Sequence, residues 1–576
     1  MANRLCRGIP DHSRKAGPGH TAIGTGHYLC AMFVYRCFVL LFLIWCPILS
    51  LGQAIPGIIP KPVSIARNGE ADISLHGQVQ LFGDSQLHRQ VIYLYDMLRT
   101  HCGLSARIIA GDSLPNPTIP LIRLQLADTM RPANAYSLTI GGNTGLLRAT
   151  DITGIVHGMQ TLLQLLPLGK KDSMILPALI IKDHPRFAYR GMHLDVVRHM
   201  FPVSYIRKYI DYLAFHKFNT FHWHLTDDQG WRIEIESYPK LNSIGSWRDS
   251  TLIGHFRDTP ARYDGTRYGG YYTSTEVREI IDYAAVRGIT IIPEIDIPGH
   301  SRATIAAYPA FSTDPSARWN VATTWGMYNR QNNVLAPNDQ TIAFLKAVFH
   351  EVADLFPAPY VHLGGDECSK LWWKQSPATQ AFMRAKGIAN ETALQTWFVE
   401  QVGAFLREKG KIVVGWHEIM DGNLDRSTII MNWSNDAKAI EAVRKGYRVI
   451  QTPGKPFYFD HYQSRNPSDS LAIHGYNPME AVYRYEPVPT AIAGTADEAR
   501  ILGGQANVWT EYMGSPEKVD YMVLPRMTAL AENLWTPRAL KNYEDFLQRV
   551  KSVMLPRYQY WGSLWFRDFE QWGADK

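Results

Sequence analysis

The sequence predicts an α/β protein, a (β/α)8 TIM barrel preceded by a small α+β domain, on three observations. From Arg186 onward, short apolar runs alternate with amphipathic helical segments, the pattern of repeated strand-helix units. Eight such runs fit within about 350 residues, the number and length that close a barrel with long inserted loops. Charged and aromatic residues then gather just after these runs, at the strand ends where such barrels carry their sites.

Residues 1–54 read as an N-terminal extension and signal peptide. The run CFVLLFLIWCPILSL at 37–51 has signal length, is short for a bilayer span, and is followed by small residues at Gly52 and Ala54. Met32 and Arg36 supply a charged start, so Met32 is read as the true first residue. Four of the six cysteines fall in this region, leaving Cys102 and Cys368 and excluding a disulfide framework. An exported chain almost free of cystine fits a periplasmic or secreted bacterial protein, touching a membrane only through an uncleaved signal. The sequons at Asn390 and Asn432 carry little weight beside this.

Residues 55–183 are punctuated by Pro, Gly and Ser. They contain alternating segments such as PLIRLQLAD and a helix-like run at 155–166, which predicts the small α+β domain. Residues 184–576 are read as the barrel with a C-terminal helical segment. Strands are expected at 189–195, 219–225, 289–295, 360–365, 411–416, 428–433, 447–451 and 502–509. Helices are expected at 203–216, 274–287, 340–355, 391–408, 436–445 and 516–534. Thr273 and Glu276 form a capping box for the second helix, Gly288 closes it, and Ser515 with Pro516 opens the last.

The strand ends bring together Asp195, Arg198, His199, His224, Asp227, Asp228, Glu294, Asp296, His300, Asp366, Glu367, Trp416, Glu418, Trp433, Tyr458, Asp460, Trp509 and Glu511. Packing does not explain so many carboxylates on one rim, because an unpaired buried carboxylate is costly. The net charge of +6 is spread along the chain, which provides no concentrated basic face for nucleic acid. Aromatics make up 12% of residues, enough to line a sugar site as well as a core.

Asp366 and Glu367, in HLGGDE, are the sharpest local signal. Neighbours on a regular strand point to opposite faces, so both can serve one site only where Gly364 and Gly365 let the chain turn. Two close carboxyls do not ionise together easily, which raises one and suits it to protonate a leaving group. One acid beside one anion is the pairing glycoside cleavage needs. Trp416, Trp433 and Trp509 then read as walls for a sugar ring, and Arg198 as a partner for its hydroxyls. The HxH at His222 and His224 raises a metal-dependent alternative, but the later strands supply acids and Trp rather than further ligands, so no metal or cofactor is expected. Cys368 as a nucleophile lacks a base.

These stretches resemble glycoside hydrolase family 20, the β-N-acetylhexosaminidases. The motifs are PRFAYRGMHLDVVRH, KFNTFHWHLTDDQGWRIEI, GITIIPEIDIPGH, HLGGDE, GWHEI, NW, YFD and NVWTEY, in order, over roughly residues 135–565. The resemblance implies a retaining exo-hydrolase of terminal N-acetylglucosamine or N-acetylgalactosamine on oligosaccharides or glycoconjugates. In that scheme Glu367 is general acid and base, and Asp366 steers the substrate's 2-acetamido group, whose oxygen attacks the anomeric carbon to give an oxazolinium intermediate. Asp227 and His300 would support Glu367, and Arg198 and Glu511 would hold hydroxyls. Trp416, Trp433 and Trp509 would enclose the acetamido group and ring. Tyr458 would bond the acetamido oxygen, with Asp460 close by. The stretch after YFD lacks a Trp that many members carry; Tyr476 or another loop would have to replace it.

Overall fold

A computed structural model describes residues 56–569, apart from 77, 111–112, 128–131 and 172–173. The expected signal segment and the start at Met32 lie outside the described residues. Among the described residues, no helix is long and apolar enough to cross a membrane.

Alternation at period two builds the first sheet. Tyr136, Leu138 and Ile140 are buried on one face, as are Ile122 and Leu124 of the PLIRLQLAD segment. Seven strands align in the order Ser64–Arg67, Leu179–Asp183, Tyr136–Gly141, Thr144–Ala149, Leu121–Leu126, Gln78–Gly83, Ser105–Ile108. Helices His88–Cys102 and Ile152–Gln164 pack on this sheet and close its core.

Eight parallel strands then close a barrel: β1 (Tyr189–Asp195), β2 (Thr220–His224), β3 (Thr290–Glu294), β4 (Tyr360–His362), β5 (Ile412–Trp416), β6 (Ile429–Asn432), β7 (Arg448–Gln451) and β8 (Ile501–Ala506). β8 pairs back onto β1 through Tyr189 and Gly503. The strands are buried on both faces, which explains their near-continuous apolar runs. The outer helices include α1 (Val203–Phe215), α2 (Ser274–Val286), α3 (Asp339–Leu355), α4 (Glu391–Glu408) and α5 (Asp436–Arg444).

The capping box of α2 is formed: the Glu276 backbone N–H donates to Thr273 Oγ1 at 3.2 Å, and the Thr273 N–H to Glu276 Oε2 at 2.8 Å. Gly288 follows with φ +69°. The helix expected at 516–534 is instead two, α6 (Pro516–Val523) and α7 (Arg526–Trp535). Pro525 has no N–H to continue α6 and forces the preceding Leu524 into an extended conformation, φ −101° and ψ 130°.

Asp183, at the end of the first sheet, ties that sheet to the barrel. It accepts hydrogen bonds from the Lys217 ammonium at 3.0 Å, the Tyr136 hydroxyl at 2.7 Å and the Trp535 indole at 3.0 Å, all of them buried. Asn390 caps α4 by accepting from the Ala393 N–H, and Asn432 is buried with its amide bonded to Gln451. Both sequon side chains are therefore engaged within the protein.

Candidate active site

β4 ends at His362, and the chain turns through Gly364 at φ +65° and Gly365 at φ +94°, as the glycine pair suggested. A side chain on Gly364 would lie 1.8 Å from Asp296 Oδ1, so the glycine lets the turn sit directly on the Asp296 carboxyl, which accepts from the Gly365 N–H at 2.9 Å. Glu367 follows in a left-handed conformation, φ +43°, and His300 opposite it has φ +44°. Such backbone costs roughly 1–3 kcal/mol per residue and persists only where the surroundings fix it. Here it turns two functional side chains toward each other.

These residues open onto a cavity of about 1080 Å3 at the C-terminal rim of the barrel. Arg198, Asp227, His300, Asp366, Glu367, Trp433, Tyr458, Asp460, Trp509 and Glu511 all line it. Trp416 departs from expectation. Its side chain is fully buried outside the cavity lining, among His222 and His362, because its indole N–H donates to Glu294 Oε1 at 2.9 Å. Its ring lies 6.0 Å from that of Trp509, one layer below the cavity. Sequence reasoning missed Phe256, Trp325, Met327, Ile473 and His474, which line the same cavity from long loops whose positions carry no periodic signal. Tyr476 is not in the lining; Arg465 lies over its ring at 4.8 Å.

Asp227 is held by four partners. It faces Arg198 Nη2 at 2.8 Å, His224 Nε2 at 2.9 Å, His300 Nδ1 at 3.0 Å and the Asp228 N–H at 2.6 Å. Burial opposes its ionisation, but Arg198 and His300, with the hydrogen bonds from both histidines, hold its carboxyl well below the usual range. Burial likewise opposes the charge on His300, and Asp227 with Asp228 overcomes it, raising His300 well above an ordinary histidine. The other ring nitrogen, Nε2, faces Glu367 Oε2 at 3.6 Å and Asp366 Oδ2 at 3.9 Å. A cation thus sits between the two adjacent carboxyls.

The pair divides by environment. Asp366 has 15% of its side-chain surface exposed and Glu367 has 49%, so one is set in the wall and the other at the opening. Burial pushes Asp366 up to about 7, against the pull of His300 and with help from Glu418, so the carboxyl that is raised is the one in the wall, the reverse of the expectation that the raised member protonates the leaving group. Three buried carboxylate oxygens in the lining, Asp366 Oδ1, Asp460 Oδ1 and Glu511 Oε2, have no hydrogen-bond partner among the described residues. Unpaired buried acceptors of this kind invite donors from a bound molecule. Arg198 adds a cation 4.0 Å from Glu511 and 5.2 Å from the Trp509 ring centre. The cavity therefore offers aromatic faces and acceptors for hydroxyl or amide hydrogens, with an acid pair beside them.

Two groups have metal-like spacing: His193, His222 and Glu294, and Asp227, Asp296 and His300. In the first, the Val508 N–H donates to His193 Nδ1 and the Gln505 amide to His222 Nδ1, which leaves each Nε2 carrying its hydrogen. Neither imidazole then has a free lone pair to give. In the second, both oxygens of Asp227 are occupied by the donors above. Cys368 is buried, and burial pushes its thiol up to about 11, far from the thiolate a nucleophile requires.

Comparison with known proteins agrees with this fold. Residues 187–538 match the catalytic domain of glycosyl hydrolase family 20, and residues 55–184 match domain 2 of the same family. A β-hexosaminidase of Porphyromonas gingivalis is 41% identical over 468 residues, 80% of this chain, which spans 58% of that relative's length. A β-hexosaminidase of Vibrio furnissii is 38% identical over 487 residues, covering 82% of this chain and 76% of its own. Among solved structures, the GH20 exo-β-N-acetylglucosaminidase from Vibrio harveyi in complex with N-acetylglucosamine superposes with a TM-score of 0.78 at 33% identity, over 89% of this chain and 79% of that one.

Proposed function

Because the chain belongs to glycosyl hydrolase family 20, we propose that it is a retaining exo-β-N-acetylhexosaminidase. It removes terminal non-reducing N-acetylglucosamine or N-acetylgalactosamine from oligosaccharides or glycoconjugates. The observation that carries this reading is the division of labour in the acid pair: Glu367 at the opening, and Asp366 in the wall with an unpartnered buried oxygen.

In this account the Glu367 carboxyl donates its proton to the glycosidic oxygen as the C1–O bond breaks. The acetamido oxygen attacks C1, while Asp366 Oδ1 accepts the acetamido N–H and offsets the positive charge of the oxazolinium. The His300 imidazolium, 3.6 Å from Glu367, stabilises the carboxylate left behind. Glu367 then takes a proton from water, which adds to C1 and opens the ring with retention. Asp460 and Glu511 take hydroxyl hydrogens, Tyr458 bonds the acetamido oxygen, and Trp433 and Trp509 cover the apolar faces of the sugar. Phe256, Trp325 and Met327 are the candidates for contact with the leaving group in place of the absent Trp. The apolar run at 37–51 supports an exported protein, periplasmic or secreted.

Progressive fluorination of the acetamido methyl tests the step that defines this mechanism, because it weakens the acetamido oxygen as a nucleophile. With nitrophenyl N-acetylglucosaminides, kcat should fall steeply from acetyl to trifluoroacetyl. A flat series would mean that an enzyme group attacks instead.

A further inference from the structure

We propose that the His224 and Glu294 pair inside the barrel is a positioning device for acid catalysis, holding Asp227, and through it His300 and Glu367, in register with the aromatic wall beneath the sugar site. The proposal rests on the reading of Glu367 as general acid. It extends that reading to two residues with no access to the cavity.

The geometry begins with strand register. β2 and β3 are neighbours, and His224 is paired directly with Glu294 at their C-terminal ends. Both side chains are fully buried. His224 Nδ1 lies 2.5 Å from Glu294 Oε2, and His224 Nε2 lies 2.9 Å from Asp227 Oδ2. A neutral imidazole has one N–H and could donate to only one of two carboxylates; with both nitrogens so placed, the ring carries two hydrogens. Burial opposes this charge, but Glu294 and Asp227 raise His224 to about 10. Nearby His193 and His222 are lowered, His222 to about 4, chiefly by burial, so they do not compete for the proton.

Glu294 is a branch point. One oxygen accepts from His224, with His222 Nε2 at 3.2 Å, and the other accepts from the Trp416 indole at 2.9 Å, with His362 Nδ1 of β4 at 3.0 Å. One carboxylate thus fixes Trp416, which underlies Trp509, and His224, which braces Asp227. From Asp227 the file continues to His300 Nδ1 at 3.0 Å and from His300 Nε2 to Glu367 at 3.6 Å. Asp227 also binds Arg198, whose guanidinium lies over Trp509. The His224 charge shares the Asp227 carboxylate with Arg198 and His300, which limits how strongly Asp227 holds the His300 proton. Asp227 Oδ1 takes the Asp228 N–H and His300, while Oδ2 is shared by Arg198 and His224, so His224 is the donor that braces it from inside the barrel.

The test separates positioning from general support of the fold by varying leaving-group ability. His224→Gln and Glu294→Gln are assayed with dinitrophenyl and methoxyphenyl N-acetylglucosaminides, which need little and much proton donation respectively. We expect kcat on the methoxyphenyl substrate to fall about 10–100-fold, with KM and dinitrophenyl turnover changed by less than about threefold. The double variant should be no worse than the worse single one, since both act through one file. An equal loss on both substrates would assign the pair to fold support and overturn the proposal. Should neither variant fold, the wild-type enzyme decides: nitrogen-15 histidine spectra should show both His224 ring N–H signals up to pH 8, and a neutral ring there would overturn it. Glu367→Gln, assayed alongside, tests the parent reading separately, because methoxyphenyl turnover retained in that variant would reject Glu367 as the acid whatever His224 does.

Discussion

At the scale of single residues, the account turns on two carboxyls of one dipeptide having unlike surroundings. Glu367→Gln removes the proposed proton donor and keeps the shape, so kcat on methoxyphenyl N-acetylglucosaminide should fall about 10²–10⁴-fold while a thiazoline analogue of the intermediate still binds, measured by calorimetry. In the proposed mechanism Asp366 must be ionised to steer and balance the acetamido group. Because burial lifts its carboxyl to about 7, kcat/KM should fall as pH falls through about 7, and Asp366→Asn should abolish most activity and this dependence with it. The stability consequence has the opposite sign. A carboxyl raised in the folded state holds a proton that the unfolded chain releases near pH 4, so Asp366 costs stability as pH rises from about 4 toward 7. Asp366→Asn should therefore raise Tm at pH 8 relative to the parent; an unchanged or lowered Tm would mean that Asp366 is not strained by burial. The position of these two residues at a turning strand end was legible because HLGGDE ends a strand at a glycine pair. Which of the two lies in the wall was not, since that depends on Asp296, His300 and Glu418 converging from other strands.

At the scale of elements, the strand and helix periods placed every barrel strand, because a buried parallel strand must be an apolar run and each is followed by a turn. Two departures have different causes, one local and one distant along the chain. The helix expected at 516–534 breaks at Pro525, a residue visible in the sequence whose effect the apolar pattern masked. Trp416 closes β5 as expected, yet its indole turns to Glu294, a partner two strands away in the barrel and invisible along the chain. The turn after β4 is the element on which the site depends most. Gly364→Ala combines a left-handed backbone with a Cβ 1.8 Å from Asp296 Oδ1, so it should cost about 1–3 kcal/mol in denaturant unfolding and lower kcat through displaced Asp366 and Glu367. Loss of stability without loss of turnover would show that the turn does not set the pair.

At the scale of the whole molecule, the first sheet and the barrel meet at a buried charge. Asp183 and Lys217 are 0% exposed, and the Tyr136 and Trp535 side chains complete the acceptor's bonds. Asp183→Asn leaves the Lys217 ammonium without its counter-charge and should destabilise by about 3–5 kcal/mol, read from thermal or denaturant unfolding. The sequence identified both regions but not this joint, because Asp183 and Trp535 are far apart in the chain and each closes its own element, so the pattern along neither element points to the other. The loops that complete the cavity, carrying Phe256, Trp325 and Ile473, were hidden for the same reason. In the proposed mechanism every catalytic group is a side chain or the substrate's own, so turnover should be unchanged by a chelator. The central claim, that the substrate's own acetamido group is the nucleophile in a retaining reaction, is tested most directly by proton NMR of hydrolysis of nitrophenyl β-N-acetylglucosaminide beside the matching β-glucoside. The account predicts the β-anomer as first product and no comparable turnover of the glucoside; first appearance of the α-anomer, or equal turnover of the two, would contradict it.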